Sequence, residues 1–215
     1  SSGTDRVAEV ARRHPNYALI VNIQGDEPEL EPAAIDALIQ AFEPSAGSDR
    51  SSASTPEIAG STTADPKVAS PIIDSTPEIA TLACSFAATE LDSADPAAVK
   101  VVTDLSGSAL YFSRAQIPFP RAVVGAKSTF NATGSAQAGP RLHLGTYAYR
   151  REVLLRLASL PPSPLEQIES LEQLRALSHG IRIRVVDVPR ALKGIDTRAD
   201  YDAFLARWRA KLTDT

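Results

Sequence analysis

Two carboxylates are marked out by position. Asp26 lies in the turn Gln24-Gly25-Asp26-Glu27-Pro28, directly after the apolar run Tyr17-Ala18-Leu19-Ile20-Val21-Asn22-Ile23. Open α/β sheets bind ligands beyond the carboxyl ends of their strands, and a metal-binding carboxylate is expected at such a place. Asp196 occupies a comparable turn near the other end, Gly194-Ile195-Asp196-Thr197. Two loop-borne carboxylates that converge would suit a hard cation such as magnesium. Each also has a plainer reading: a turn-forming Asp close to a proline, and an acidic group near a helix N-terminus, stabilised by the dipole.

Other residue types offer weaker signals. His143, between Leu142 and Leu144, reads as a core histidine or as a ligand. Arg114, after Phe112-Ser113, suits a bidentate grip on a carboxylate or a place on the surface. Glu166, Glu169, Glu172, Gln173 and Arg175 share one stretch, a charge density expected of a solvated helix face with local ion pairing.

These groups need elements to hold them. The spacing predicts a first helix capped at Thr4, carrying Val7, Ala8, Val10 and Ala11 and ended by Pro15-Asn16. The apolar run to Ile23 reads as a strand buried on both faces of a parallel sheet. Pro32 opens a second helix with Ile35, Leu38, Ile39 and Phe42 on one side. Strands are expected at Ile79–Phe86, at Val99–Thr103 and Ala109–Ser113 around a tight turn, and at Leu142–Tyr149. A short helix follows near Val153–Leu157, then one strong helix from Pro164 through Leu177, closed by Gly180. Ile181–Val186 alternates as a strand, and Thr197 with Asp200 marks the start of a last helix. Strands alternating with helices predict an α/β domain with a mostly parallel sheet and a smaller antiparallel element.

Residues 45–76 differ in kind, being rich in Ser, Ala, Thr, Asp and Pro. Ser54-Thr55-Pro56-Glu57-Ile58-Ala59 recurs there as Ser75-Thr76-Pro77-Glu78-Ile79-Ala80. Two copies are too few for a repeat architecture, and the segment is expected to be a low-complexity loop insertion, poorly ordered and outside the core.

Composition narrows the function classes. The 215 residues are 43% hydrophobic and 22% charged, enough to bury a core. Twenty-two basic against 26 acidic residues give a net charge of −4, which argues against nucleic-acid and membrane partners. One cysteine, Cys84, excludes an internal disulfide and fits a reducing compartment, while three scattered histidines exclude a Cys/His zinc cluster. Methionine is absent.

Individually these signals are unspecific, but their order is not. Val21–Pro28, Ala109-Leu110-Tyr111-Phe112-Ser113-Arg114-Ala115-Gln116-Ile117-Pro118, His143-Leu144-Gly145-Thr146-Tyr147-Ala148-Tyr149-Arg150, Ser163–Arg175 and Gly194-Ile195-Asp196-Thr197 follow one another along the chain. The sequence resembles the 3-deoxy-manno-octulosonate cytidylyltransferases, or CMP-Kdo synthetases, over nearly its whole length. The resemblance implies a nucleotide-diphospho-sugar-transferase-like α/β fold and a cytoplasmic homodimer. It implies an enzyme joining CTP to the acid sugar Kdo, with release of pyrophosphate, for lipopolysaccharide synthesis. By the same resemblance Asp26 and Asp196 would hold magnesium. Gln24, Arg114, His143, Tyr147, Glu172 and Gln173 would line the sugar pocket, and Ser2 and Gly3 would lie near the cytosine.

Two departures accompany it. Family members begin with a strand and a basic Arg…Ser-x-Arg-x-Pro-Gly-Lys loop that cradles the triphosphate. That pattern does not occur here, so the expectation is an N-terminally truncated single domain that does not make CMP-Kdo at an appreciable rate by itself. The 45–76 segment is the second departure. An enzyme for another acidic sugar, such as a sialic acid, and a non-catalytic sugar-binding or dimerisation remnant are the competing readings; the Tyr-Phe-Ser-Arg and His-Leu-Gly blocks argue for Kdo.

Overall fold

A computed structural model describes residues 2–43, 76–89, 91–119, 121, 140–189, 194–195 and 197–213. The 45–76 insertion lies outside the described residues except at Thr76, as does Asp196.

The elements run α1 (Gly3–Arg13), β1 (Leu19–Asn22), α2 (Pro32–Gln40), β2 (Ile79–Ser85), a 3-10 turn (Phe86–Ala88), β3 (Lys100–Thr103), β4 (Ala109–Ser113), β5 (Arg141–Arg150), α3 (Arg151–Ser159), α4 (Pro164–Glu169), α5 (Gln173–Ser178), β6 (Ile183–Asp187) and α6 (Arg198–Thr213). Six strands form one sheet in the order β4-β3-β5-β2-β6, with β1 also paired to β5. β5 is therefore the hub: β2 follows it along one edge, while β1 takes residues 147–150 and β3 residues 141–142.

The sheet is not mostly parallel. Among the described strands only β2 and β6 run parallel; the β1–β5, β2–β5, β3–β4 and β3–β5 pairs are antiparallel. Apolar runs record burial and not direction, so the sequence pattern could not supply this. The β3–β4 hairpin joins the same sheet through β5 instead of forming a separate element. β1, expected to be fully buried, is half-buried, and among the described strands it pairs with β5 alone.

Helices cover both faces. Alternation along β2 sends Ile79 and Ala83 to a large core shared with α1, α3 and α5, through Ala8, Leu154 and Leu174. Ala80 and Leu82 face the other way, onto Leu38 of α2. A third cluster, Cys84, Phe86, Ala98 and Leu142, closes the end near β3.

Capping explains two helix starts. Ser2, not Thr4, caps α1: its hydroxyl accepts from the Asp5 N–H, and the Asp5 carboxylate accepts from the Ser2 N–H at 2.8 Å. The Thr197–Asp200 pair does the same at α6, as expected. The single helix expected from Pro164 to Leu177 is two helices. Ser170 is left-handed at φ 54°, which ends α4 before α5 begins. None of the described helices is long and apolar enough to cross a membrane.

Candidate functional site

A cavity of about 820 Å³ opens between the β5 face and the starts of α1 and α5. Its walls include Gly3, Gln24, Glu27, His143, Tyr147, Glu172, Gln173 and Gly194.

A bulge in β5 shapes one wall. Thr81 lies opposite Tyr147 but the next residue, Leu82, lies opposite Leu144, so Gly145 and Thr146 have no partner on β2. Side chains reach the carbonyls at and beside the bulge. The Thr81 hydroxyl lies 3.2 Å from Leu144 O and 3.0 Å from Thr146 O, and Gln24 Nε2 donates to Gly145 O at 3.2 Å. The Thr146 hydroxyl donates to Glu27 Oε2 at 2.9 Å, tying the bulge to the 24–28 turn. Gly145 lies against that turn: a Cβ there would stand 3.3 Å from Gln24 Cγ.

The bulge sets an aromatic cluster. His143 packs edge-on to Phe112 and lies 5.3 Å, centroid to centroid, from Tyr147, which stacks on Tyr149. Burial lowers the His143 pKa to about 3, so the imidazole is neutral. Burial also raises both tyrosines, with Tyr149 adding to the shift of Tyr147 and Glu172 to that of each. Tyr147 Oη is buried beside the Thr81 side chain and makes no hydrogen bond of normal geometry among the described residues, a polar atom inviting a ligand.

Glu172 belongs to the other wall. Its carboxylate accepts from the Gly3 and Thr4 N–H groups at 3.1 Å each and from the Thr4 hydroxyl at 2.5 Å. Burial alone would push its pKa up, but the hydrogen bonds from Thr4 and Gly3 outweigh it, and the net shift is downward. It thus anchors the N-terminus of α1. Glu27 is shifted upward by burial, against the hydrogen bond from Thr146 and with help from neighbouring Asp26.

Asp26 is held by backbone. The Ile195 N–H donates to its carbonyl at 2.8 Å, and Gly194 packs on the same residue. The two turns that carry the candidate metal carboxylates are thereby in contact, although Asp196 itself is outside the described residues.

Of the sequence-derived candidates, Gly3, Gln24, His143, Tyr147, Glu172 and Gln173 meet at the cavity. Ser2 sits beside it as the α1 cap. Arg114 is not among the lining residues; its Nε donates to Glu169 O at 2.8 Å and Nη1 to Pro96 O at 3.1 Å. The solvated face expected over residues 166–175 is instead built inward. Glu166 and Arg175 form a buried pair, and Glu169 accepts from the Ser113 hydroxyl at 2.6 Å and the Arg114 N–H at 2.9 Å. Sequence reasoning missed Thr81 and Thr146, for which no local signal exists, and Glu27, whose neighbour Asp26 drew the attention.

The model of the cytidylyltransferase family matches residues 1–183. The chain belongs to the cytidylyltransferase family. Within it, the chain is 41% identical over 206 residues to the 3-deoxy-manno-octulosonate cytidylyltransferase of Nitratidesulfovibrio vulgaris strain Hildenborough, covering 95% of this chain and 66% of that protein. The enzyme of that name from Anaeromyxobacter sp. strain Fw109-5 is 42% identical over 203 residues, covering 94% and 65%. The chain thus spans just under two thirds of the length of these cytidylyltransferases. Its fold matches the solved structure of CMP:2-keto-3-deoxy-manno-octonic acid synthetase complexed with CTP, with TM-score 0.68 and 34% identity, over 100% of this chain and 69% of that one.

Proposed function

We propose that this chain carries the sugar-side half of a CMP-Kdo synthetase site, in which Kdo attacks CTP to give CMP-Kdo and pyrophosphate. The observation that carries the reading is the cavity that gathers His143, Tyr147, Glu172 and Gln173 beside the Asp26 turn. The names of the relatives and of the CTP-bound structure support the same substrates.

In this reading the sugar is held by neutral donors and acceptors. Tyr147 Oη donates to a sugar oxygen; Gln173 and Gln24 supply amide groups at the wall. Ser2 and Gly3, at the start of α1, approach the cytosine. Arg114 acts on the substrate carboxylate by its charge from behind the wall, or turns inward when the sugar binds.

Asp26 and Asp196 fit magnesium in their chemistry. Asp26 offers a hard carboxylate that takes no hydrogen bond among the described residues, and the turn bearing Asp196 packs against it. An ion held there would neutralise phosphate charge and so would lower the barrier to an anionic sugar approaching a triphosphate. The protein's own part is orientation in a walled cavity, without a covalent enzyme intermediate. The reading further includes a cytoplasmic homodimer.

Because the chain holds no Ser-x-Arg-x-Pro-Gly-Lys pattern to cradle the triphosphate, the proposal is tested in a fusion that adds the family's strand and basic loop ahead of it, by pyrophosphate release on incubation with CTP, Kdo and magnesium. Release is expected only with all three present, and Asp26→Asn is expected to lower it by about a hundredfold or more. CTP cleavage that proceeds equally without Kdo would overturn the reading.

A further inference from the structure

The Thr81 hydroxyl has more partners than protons. It lies 3.0 Å from His143 Nε2, 3.0 Å from Thr146 O and 3.2 Å from Leu144 O. Both carbonyls can only accept, so they compete for the single hydroxyl proton, and Thr81 is fully buried at 0% exposure where water does not substitute. Spending that proton on His143 would leave the Thr146 carbonyl, which has no residue opposite it on β2 and is buried, without it, which is the costlier arrangement. The arrangement that satisfies most groups sends the hydroxyl proton to a carbonyl and leaves the Thr81 oxygen to accept from the ring.

We propose that Thr81 is a positioning residue that fixes His143 in the Nε2–H tautomer, so that Nδ1 presents a lone pair to the cavity and selects a hydroxyl group of the ligand there. Nδ1 has no partner among the described residues, and His143 lines the cavity. A lone pair attracts an O–H donor and repels a carboxylate oxygen. The acid group of the sugar is therefore excluded from His143, and the ring reads one of the hydroxyls. The low basicity of the buried ring keeps it in this acceptor form at neutral pH. The identity of the ligand as an acid sugar rests on the function proposed above; the tautomer does not.

Long-range ¹⁵N–¹H correlation of the imidazole groups in the full chain tests the tautomer without any ligand, and only His14, His143 and His179 contribute. The expected spectrum shows His143 protonated at Nε2. Thr81→Val, which keeps the shape and removes the hydroxyl, is expected to give a mixture of tautomers, and Thr81→Ser to restore the single form. An Nδ1–H ring in the unaltered protein overturns the proposal, whether or not the variants fold, and so does a Thr81→Val protein with an unchanged spectrum. Calorimetric titration with Kdo separates the second part. Affinity is expected to fall about tenfold in Thr81→Val, the equivalent of one hydrogen bond, and to return in Thr81→Ser. Unaltered Kdo affinity alongside mixed tautomers overturns the selection of a hydroxyl by His143. No Kdo binding by the unaltered protein, with the expected tautomer, refutes the Kdo reading and supports the positioning role of Thr81.

Discussion

The rings of His143 and Tyr147 stand 5.3 Å apart, centroid to centroid, although the two residues are four positions apart on one strand. In a regular strand residues four apart lie about 13 Å from each other. The two residues of β5 left unpaired at Gly145 and Thr146 take up the difference. The bulge is thus what turns a sequence motif into one wall of a cavity.

Gly145 should tolerate little at this point. A Cβ would press on Gln24 Cγ at 3.3 Å, and the bulge cannot retreat without breaking the Gln24–Gly145 O hydrogen bond. Gly145→Val is expected to cost about 1–3 kcal/mol in urea unfolding, by overpacking, and Gly145→Ala less. Equal stability of Gly145→Val and the unaltered protein would show that the turn yields freely.

Glu172→Gln removes the charge that anchors the start of α1. A loss of about 1 kcal/mol is expected at neutral pH. Because the folded-state pKa lies below the ordinary carboxylate value, the stabilisation is present above that value and fades as pH falls through it. Unfolding curves collected from pH 7 to pH 3 should therefore converge for the two proteins at the acid end. Curves that stay parallel would mean that the carboxylate charge is not what holds α1.

Arg175 donates to both oxygens of Glu166, at 2.8 and 2.5 Å, with both side chains less than 10% exposed. Arg175→Met strands a buried carboxylate and is expected to destabilise the fold by about 3–5 kcal/mol. Adding Glu166→Gln should recover part of that loss, because the stranded charge goes while the cap on Ser163 keeps an acceptor. A double variant no more stable than the single one would place the loss in packing.

His143 also shapes the acid limb of the pH profile. Its folded-state pKa of about 3 lies below the unfolded value near 6.5, so the unfolded chain binds the extra proton first. Stability contributed by the neutral ring is full above pH 6.5 and declines as pH falls toward 3. The ring resonances of His143 should stay constant between pH 8 and 5, and His143→Gln should flatten the acid decline. A His143 resonance that titrates near pH 6.5 would contradict its burial.

Much of the scaffold was legible because local rules governed it. Thr197 with Asp200, Pro32 and Pro164 at first helical turns, and the alternation in Ile183–Asp187 all appear where their chemistry puts them. Strand direction was not legible, since Val and Ile runs look alike in either sense. Nor was the break at Ser170, where a non-glycine residue adopts the left-handed region and apolar periodicity carries straight across it. The family resemblance pointed to His143 and Tyr147, which both line the cavity, but could not reveal the bulge, because its support comes from Thr81 and Gln24, far off in the chain. Glu166 and Arg175 look like surface charge for the same reason: only the tertiary structure supplies the burial.

The central place of β5 bears on how the chain is made. β1, β2 and β3 all pair with β5, and β2 also waits for β6. A ribosome must therefore reach Arg150 before most of the described strands can find their neighbours, and Asp187 before the sheet is complete. Until then the nascent chain carries open strand edges, apart from what the β3–β4 hairpin can close on its own. That interval is when the chain is most exposed to aggregation, and slowing translation after residue 150 should raise its soluble yield more than slowing it before residue 100.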